Sequence, residues 1–210
     1  MVKLSPRLMA VCSLVKDNSR VADVGTDHGY IPVFLYQNAV IKSAVASDIH
    51  IGPLRSCERL VSQEMLCDVI KVCQSDGLEN LSPNDFDTII IAGMGGELIT
   101  DILSKCTYIN EKHIIVNPMT HPELVREFLY NNGFEIANDL IVKESKHCYS
   151  VFDAEFTGKV TKKSRIDYYL GNITDFTNKE YFFHLLKYLN NKSKSGEDLS
   201  DVITAVKEKI

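Results

Sequence analysis

The chain has 210 residues, 45% hydrophobic and 24% charged, with a formal net charge of −5, enough to bury a full core and to hold one domain plus an appendage. It contains no eighteen-residue apolar run, and its first residues, MVKLSPRLMA, lack an apolar stretch before a cleavage site, so neither a membrane span nor a signal peptide is expected and a cytoplasmic location is. Six scattered cysteines, none in a Cys-x-x-Cys pair or at ligand spacing from a histidine, argue against a bound metal and for reduced thiols; Cys73 and Cys148, in strand-like runs, read as small core residues.

A helix is expected from Pro6 to Val15. It carries Arg7, which with Lys3, Lys16 and Arg20 forms a small basic cluster, either a contact for a phosphate backbone or an ordinary solvated face. A buried strand follows from Arg20 to Gly25, within VADVGTDHGY, and a helix opens at Tyr30. Counted from Gly25, the two remaining glycines of a G-x-G-x-x-G dinucleotide fingerprint are replaced by Asp27 and Tyr30. A carboxylate about 4 Å from a diphosphate would be repelled by roughly 4 kcal/mol at the effective dielectric of a protein surface. Asp23 and Asp27 therefore suit S-adenosylmethionine, whose sulfonium and ammonium are positive, and disfavour NAD. Taken alone, Gly25 and Gly29 are more simply a tight strand-to-helix turn.

The strand from Ser43 to Ile49 ends in Asp48, at the distance where such sheets place a carboxylate on the ribose hydroxyls. After a helix from Pro53 to Met65, a strand from Asp68 to Gln74 ends in Ser75, Asp76 and Gly77, where an acid can receive the amine of an adenine. The next strand, Asp87 to Gly93, opens into Met94, Gly95, Gly96 and Glu97. Acids and glycines in register after successive apolar runs mark the ligand crevice of an open parallel sheet. A helix from Glu97 to Lys105 leads to the strand HIIVNPM, ending in Asn117 and Pro118. The helix from Pro122 places Leu124, Phe128 and Leu129 on one face, with Gly133 as its cap. FEIANDLIVKE and CYSVFDAEFTG form an antiparallel hairpin around Ser145 to His147. The expected fold class is α/β, a doubly wound sheet.

Past Gly158 the apolar spacing becomes helical in three segments: Ile166, Tyr169, Leu170 and Ile173; then Phe182, Leu185, Leu186 and Leu189; then Leu199, Val202, Ile203, Val206 and Ile210. The chain divides at that point into residues 1–158 and a helical module, 159–210. The module holds ten Lys or Arg against seven Asp or Glu, a net of +3, and the remainder a net of −8.

LSPRL, VADVGTDHGYIPV, SDGL, IAGMGGELI, LVREFLYNNGFEI and HCYSV together resemble the bacterial tRNA (adenine-N1) methyltransferases that modify adenine 22. The similarity runs from about Leu4 to Gly158, and IAGMGG is its most specific element. It implies a Rossmann-like class I methyltransferase sheet with a small C-terminal helical module, S-adenosylmethionine along the strand ends, and tRNA as partner.

The positions then suggest roles. Gly25 and Gly29 make the turn, with Asp23 or Asp27 on the methionine ammonium. Asp48, with Ile49 beside it, takes the ribose, and Asp76 with Gly77 meets the cofactor adenine. Gly93, Met94 and Gly95 let backbone approach the methyl group, and Ala92 before them is a further cofactor-binding candidate. Tyr30 and Asn117 are candidates to stack on and hydrogen-bond the incoming base, with Asp27 close by. His28 lines the pocket or bonds to backbone at the helix start, Arg7 holds the cofactor carboxylate or an RNA phosphate, and Glu97 favours a helix N-terminus. Adenine N1 attacks with an in-plane lone pair, so no general base is expected and catalysis rests on positioning and electrostatics. Neither membrane nor metal is an expected partner, and a monomer is favoured. A small-molecule methyltransferase, an NAD-dependent oxidoreductase and a non-catalytic RNA-binding module remain the alternatives.

Overall fold

Short apolar runs become seven strands joined by helices in the computed structural model, which describes residues 2–210. In chain order these are α1 (Pro6–Ser13), β1 (Ser19–Val24), α2 (Tyr30–Gln37), β2 (Ile41–Asp48), α3 (Ile51–Gln63), β3 (Ile70–Gln74), β4 (Thr88–Ala92), α4 (Gly96–Lys105), β5 (His113–Asn117), α5 (Pro122–Asn131), β6 (Phe134–Glu144) and β7 (His147–Phe156). The sheet order is β3-β2-β1-β4-β5-β7-β6. The first five strands are parallel, and β7 inserts antiparallel between β5 and β6. The strand order reverses between β1 and β4, and a crevice opens beyond the carboxyl ends of strands at such a switch point.

The central strands are apolar on both faces because helices cover both. In β4, Ile89 and Ile91 pack toward α4 and α5 while Ile90 faces α1 to α3; in β5, Ile114 and Val116 oppose Ile115 in the same way. Helix α1 starts at Pro6 behind the Ser5 side chain, which accepts from the Leu8 amide.

Two expectations are corrected here. The inner face of α5 is Glu123, Val125, Arg126, Leu129 and Tyr130, with Leu124 and Phe128, expected on that face beside Leu129, only half-buried; the ion pair that Arg126 makes with a later strand turns the helix this way. Cys73 and Cys148 are half-buried, whereas Cys12, Cys57 and Cys106 lie in the core.

The last three segments form α6 (Arg165–Leu170), α7 (Lys179–Lys194) and α8 (Ser200–Lys207). Tyr169, Leu170, Ile173, Phe182, Leu189, Leu199, Val202 and Val206 make a separate apolar cluster among them. A buried ion pair fastens this cluster to the sheet. Arg126 on α5 donates through Nε and Nη2 to Asp139 on β6 (2.8 and 3.1 Å), through Nη2 to the Ser150 hydroxyl (2.7 Å) and through Nη1 to the Tyr168 carbonyl of α6 (2.9 Å). Gly171 runs across this pair at φ +67, where a Cβ would overlap Asp139 Oδ2 and crowd the guanidinium; only glycine meets both demands.

Candidate active site

Beyond the ends of β1 and β4, a cleft is lined by Arg7, Asp23, Gly25, Asp27, Gly29, Tyr30 and Ala92, with His28 also on its wall. Gly25 and Gly29 sit at φ +77 and +74, as a turn that reverses direction into α2 requires. A Cβ on Gly25 would meet the Met94 methyl, and one on Gly29 would meet the Cys57 sulfur. The first of these contacts brings the glycine turn after β1 against the one after β4. The amides of Gly25 and Thr26 both donate to the Ser47 carbonyl of β2 at 2.8 Å, so the turn does not offer them to a phosphate as a dinucleotide loop does.

The polar groups of the cleft divide between its buried floor and its rim. Asp23 is buried, 4% exposed, and burial pushes its carboxyl up to about 6, with the charge of Asp48 adding to the rise. The neighbouring Thr26 hydroxyl tempers that rise but has no partner in good geometry. Arg7 Nε is likewise buried without a hydrogen bond, 3.8 Å from Glu144. A buried acid, an unpaired guanidinium N–H and an unpaired hydroxyl around one small cleft match a zwitterion better than a phosphate. Asp27 points outward to the rim, where its carboxylate lies 3.4 Å from His28 Nε2. The His28 ring is 5.2 Å from that of Tyr30, which is 43% exposed at the mouth.

Asp48 ends β2 two strands from β4. Its Oδ1 accepts from the His50 amide at 2.8 Å, its carbonyl accepts from Ser75, and Ile49 beside it is exposed. Gly93, at φ +96, and Met94 continue from β4, with the Gly93 amide on the Asn117 carbonyl.

Three of the expected site residues are placed differently from the sequence reading. Asn117 does not face an incoming base: it is fully buried, its Oδ1 accepts from Arg7 Nη1 (2.7 Å), and its Nδ2 donates to the Ser150 carbonyl (2.9 Å). A polar residue at a strand end looked open to solvent, but a helix from the start of the chain covers it. Asp76 and Gly77 line a second cavity, beneath the end of β3 against Asp101, Lys105 and Tyr108, and Gly77 packs on Ile102. The sequence reading also passed over a polar cluster at the start of α5. The Tyr188 hydroxyl donates to Glu123 (2.7 Å) and lies 2.9 Å from His121 Nδ1; His121 Nε2 lies 3.3 Å from Glu97, and Lys192 reaches Glu123 at 3.8 Å. Its residues come from helices distant in sequence, so spacing gave no signal for it.

The chain matches the family description "Methyltransferase domain" over residues 4–152. It is 36% identical to the tRNA (adenine(22)-N(1))-methyltransferase of Bacillus subtilis, over 73% of this chain and 66% of that protein. Among solved structures it is similar to a Streptococcus pneumoniae candidate tRNA (m1A22) methyltransferase in complex with S-adenosyl-L-methionine, with a TM-score of 0.86 and 29% identity over all of this chain and 99% of that one. It is also similar to the B. subtilis m1A22 tRNA methyltransferase, with a TM-score of 0.77 and 27% identity over 100% of this chain and 95% of that one. A fold ordered around the switch between β1 and β4, a cleft suited to a zwitterion and these likenesses lead to one conclusion: the chain belongs to the methyltransferase-domain family, among relatives that include tRNA (adenine-N1) methyltransferases.

Proposed function

We propose that this chain methylates N1 of adenine 22 in tRNA, using S-adenosylmethionine. The observation that carries the proposal is the cleft at the β1–β4 switch point, whose buried acid and unpaired guanidinium N–H fit the methionine end of that cofactor, in a chain with relatives named for this reaction. When bound, S-adenosylmethionine supplies an electrophilic methyl group on a positive sulfur. Asp23 holds the ammonium, Arg7 and Thr26 receive the carboxylate, and Asp48, with Ile49 beside it, accepts hydrogen bonds from the ribose hydroxyls. Gly93 keeps a side chain out of the path of the acceptor and Met94 packs against the Gly25 turn, while Tyr30, at the mouth with Asp27 and His28, offers a ring on which the target base stacks. No residue has to take a proton from adenine N1, whose lone pair lies in the ring plane. The chain's task is to hold that base in line and to stabilise the positive charge it gains. The base must first be turned out of the folded RNA.

Residues 159–210 act as the RNA-gripping module in this proposal. Their positive charge is smaller in effect than its count suggests, because Arg165 pairs with Asp201, Lys163 with Glu135, and Lys192 with Glu123 and Glu197. Lys162, Lys187, Lys194 and Lys207 make no ion pair among the described residues.

A carboxylate accepting from ribose hydroxyls contributes about 1.5–3 kcal/mol per charged hydrogen bond. Asp48→Ala should therefore weaken cofactor binding at least about ten-fold by calorimetry while leaving the melting temperature near that of the parent; an unchanged Kd would remove Asp48 from the site. The function itself is tested by transfer of labelled methyl from S-adenosylmethionine to an unmodified tRNA transcript. Incorporation that disappears when adenine 22 is replaced by guanine is the expected result, and equal incorporation into both RNAs contradicts the proposal.

A further inference from the structure

A second cleft, of about 260 Å³, lies between the sheet and α7. Its walls are the segment after β5 (Pro118 to Pro122), the start of β7 (Cys148 to Ser150), and Tyr181, His184, Leu185 and Tyr188 of α7. It is smaller than a drug-sized pocket but open to one flat ring system. Its lining includes three tyrosines, two histidines and Met119, which is 38% exposed. The polar floor is already satisfied internally through the Tyr188 hydroxyl, Glu123 and His121, so the cleft offers ring faces more than free charges. His184 is exposed at its rim, and Lys187, three residues on along α7, is exposed with no ion pair among the described residues.

The cleft adjoins the methyl-transfer site without being part of it. Pro118 follows Asn117 directly, but Arg7 stands between the two, its guanidinium 5.7 Å from the centre of the Tyr149 ring and bonded to Asn117. Arg7 therefore separates a base in this cleft from the turn that holds Gly25 and Gly29, whereas the segment 119–121, whose backbone bonds the turn after β4, forms its near wall. We infer that this cleft takes one unstacked nucleobase of the RNA, the immediate neighbour of the methylated adenine, held by stacking against the α7 and β7 rings with its phosphates toward His184 and Lys187. This inference rests on the proposed tRNA substrate. Base-on-aromatic stacking tolerates any sequence, because every base has a face, so the cleft would fix the strand beside the target without reading its identity.

The test is a cycle on the full chain with three RNAs: intact tRNA, and transcripts abasic at position 21 or at position 23. Leu185→Trp fills the cleft and His184→Ala trims its rim; neither touches the cofactor cleft. The wild-type protein should lose about ten-fold or more in kcat/KM with one abasic RNA. Leu185→Trp should lose a similar factor with intact tRNA and lose nothing further with that abasic RNA, since filling the cleft and removing its occupant delete the same contact. Calorimetric cofactor affinity within about two-fold of wild type shows that the variant is folded. If Leu185→Trp fails that check, His184→Ala carries the same cycle with a smaller loss. Losses that multiply, or wild-type rates with both abasic RNAs, overturn the inference. No methylation of any RNA by the wild-type protein would instead count against the proposed function.

Discussion

Arg126→Ala is expected to destabilise the whole chain by about 3–5 kcal/mol, because it leaves Asp139 charged, buried and without its partner. Both side chains are fully buried, and the guanidinium also satisfies the Tyr168 carbonyl and the Ser150 hydroxyl. For a chain of this size the loss corresponds to a fall in melting temperature on the order of 10 °C. Arg126→Met combined with Asp139→Leu should recover much of it, since an apolar pair removes the stranded charge along with the bond. A single variant that melts with the parent would show that the pair does not fasten α6 to the sheet. The same geometry bears on a chain ending near Lys159. Such a chain would expose Arg126, Asp139 and Glu123 together, so it should lose stability as well as RNA binding.

Asp23 gives the second large effect, and it depends on pH. Its folded-state carboxyl titrates at about 6, above the ordinary 3.8, because it is buried. An acid raised in this way favours the folded state when protonated. Its ionisation removes stability as pH rises from about 4 to 6, and that stability returns as pH falls through the same window. A ligand ammonium beside it reverses the preference and draws the proton off. S-adenosylmethionine affinity should therefore climb between pH 5 and 6.5, by no more than about ten-fold per unit, and level off above that, while an α-amino group keeps its charge until near 8. Asp23→Asn should bind about 10- to 100-fold more weakly at pH 7, the loss of one charged hydrogen bond, and its affinity should be flat across the window. A wild-type affinity independent of pH would take Asp23 off the ammonium.

Much of the fold was legible because each strand and helix repeats one local pattern. The triple isoleucine of β4 and the glycines past β1 and β4 sit where they were expected, and each late apolar stripe centres on a helix, although Ile173 falls after α6 and Leu199 and Ile210 flank α8. The sheet order was not legible: nothing in FEIANDLIVKE or CYSVFDAEFTG says that the later strand lies between β5 and the earlier one. Long-range polar pairing was hidden for the same reason. Asn117 looked like a free amide until Arg7, far away in sequence, closed over it. Nothing in the spacing of α5 marked Arg126 for burial, because its partner Asp139 comes from β6. The strand-end acids depend on position alone, which brings Asp23 and Asp48 to the carboxyl ends of β1 and β2, whereas the burial that raises Asp23 belongs to the folded chain.

The central claim is methyl transfer to one nitrogen of one nucleotide. It is tested most directly by incubating the full chain with methyl-labelled S-adenosylmethionine and unmodified tRNA, digesting the RNA to fragments and nucleosides, and mapping the label by mass spectrometry. The account predicts a single methyl group on the fragment that contains position 22, released as 1-methyladenosine. Label on another nucleoside, at another position, or absent from RNA although the cofactor binds, would contradict it.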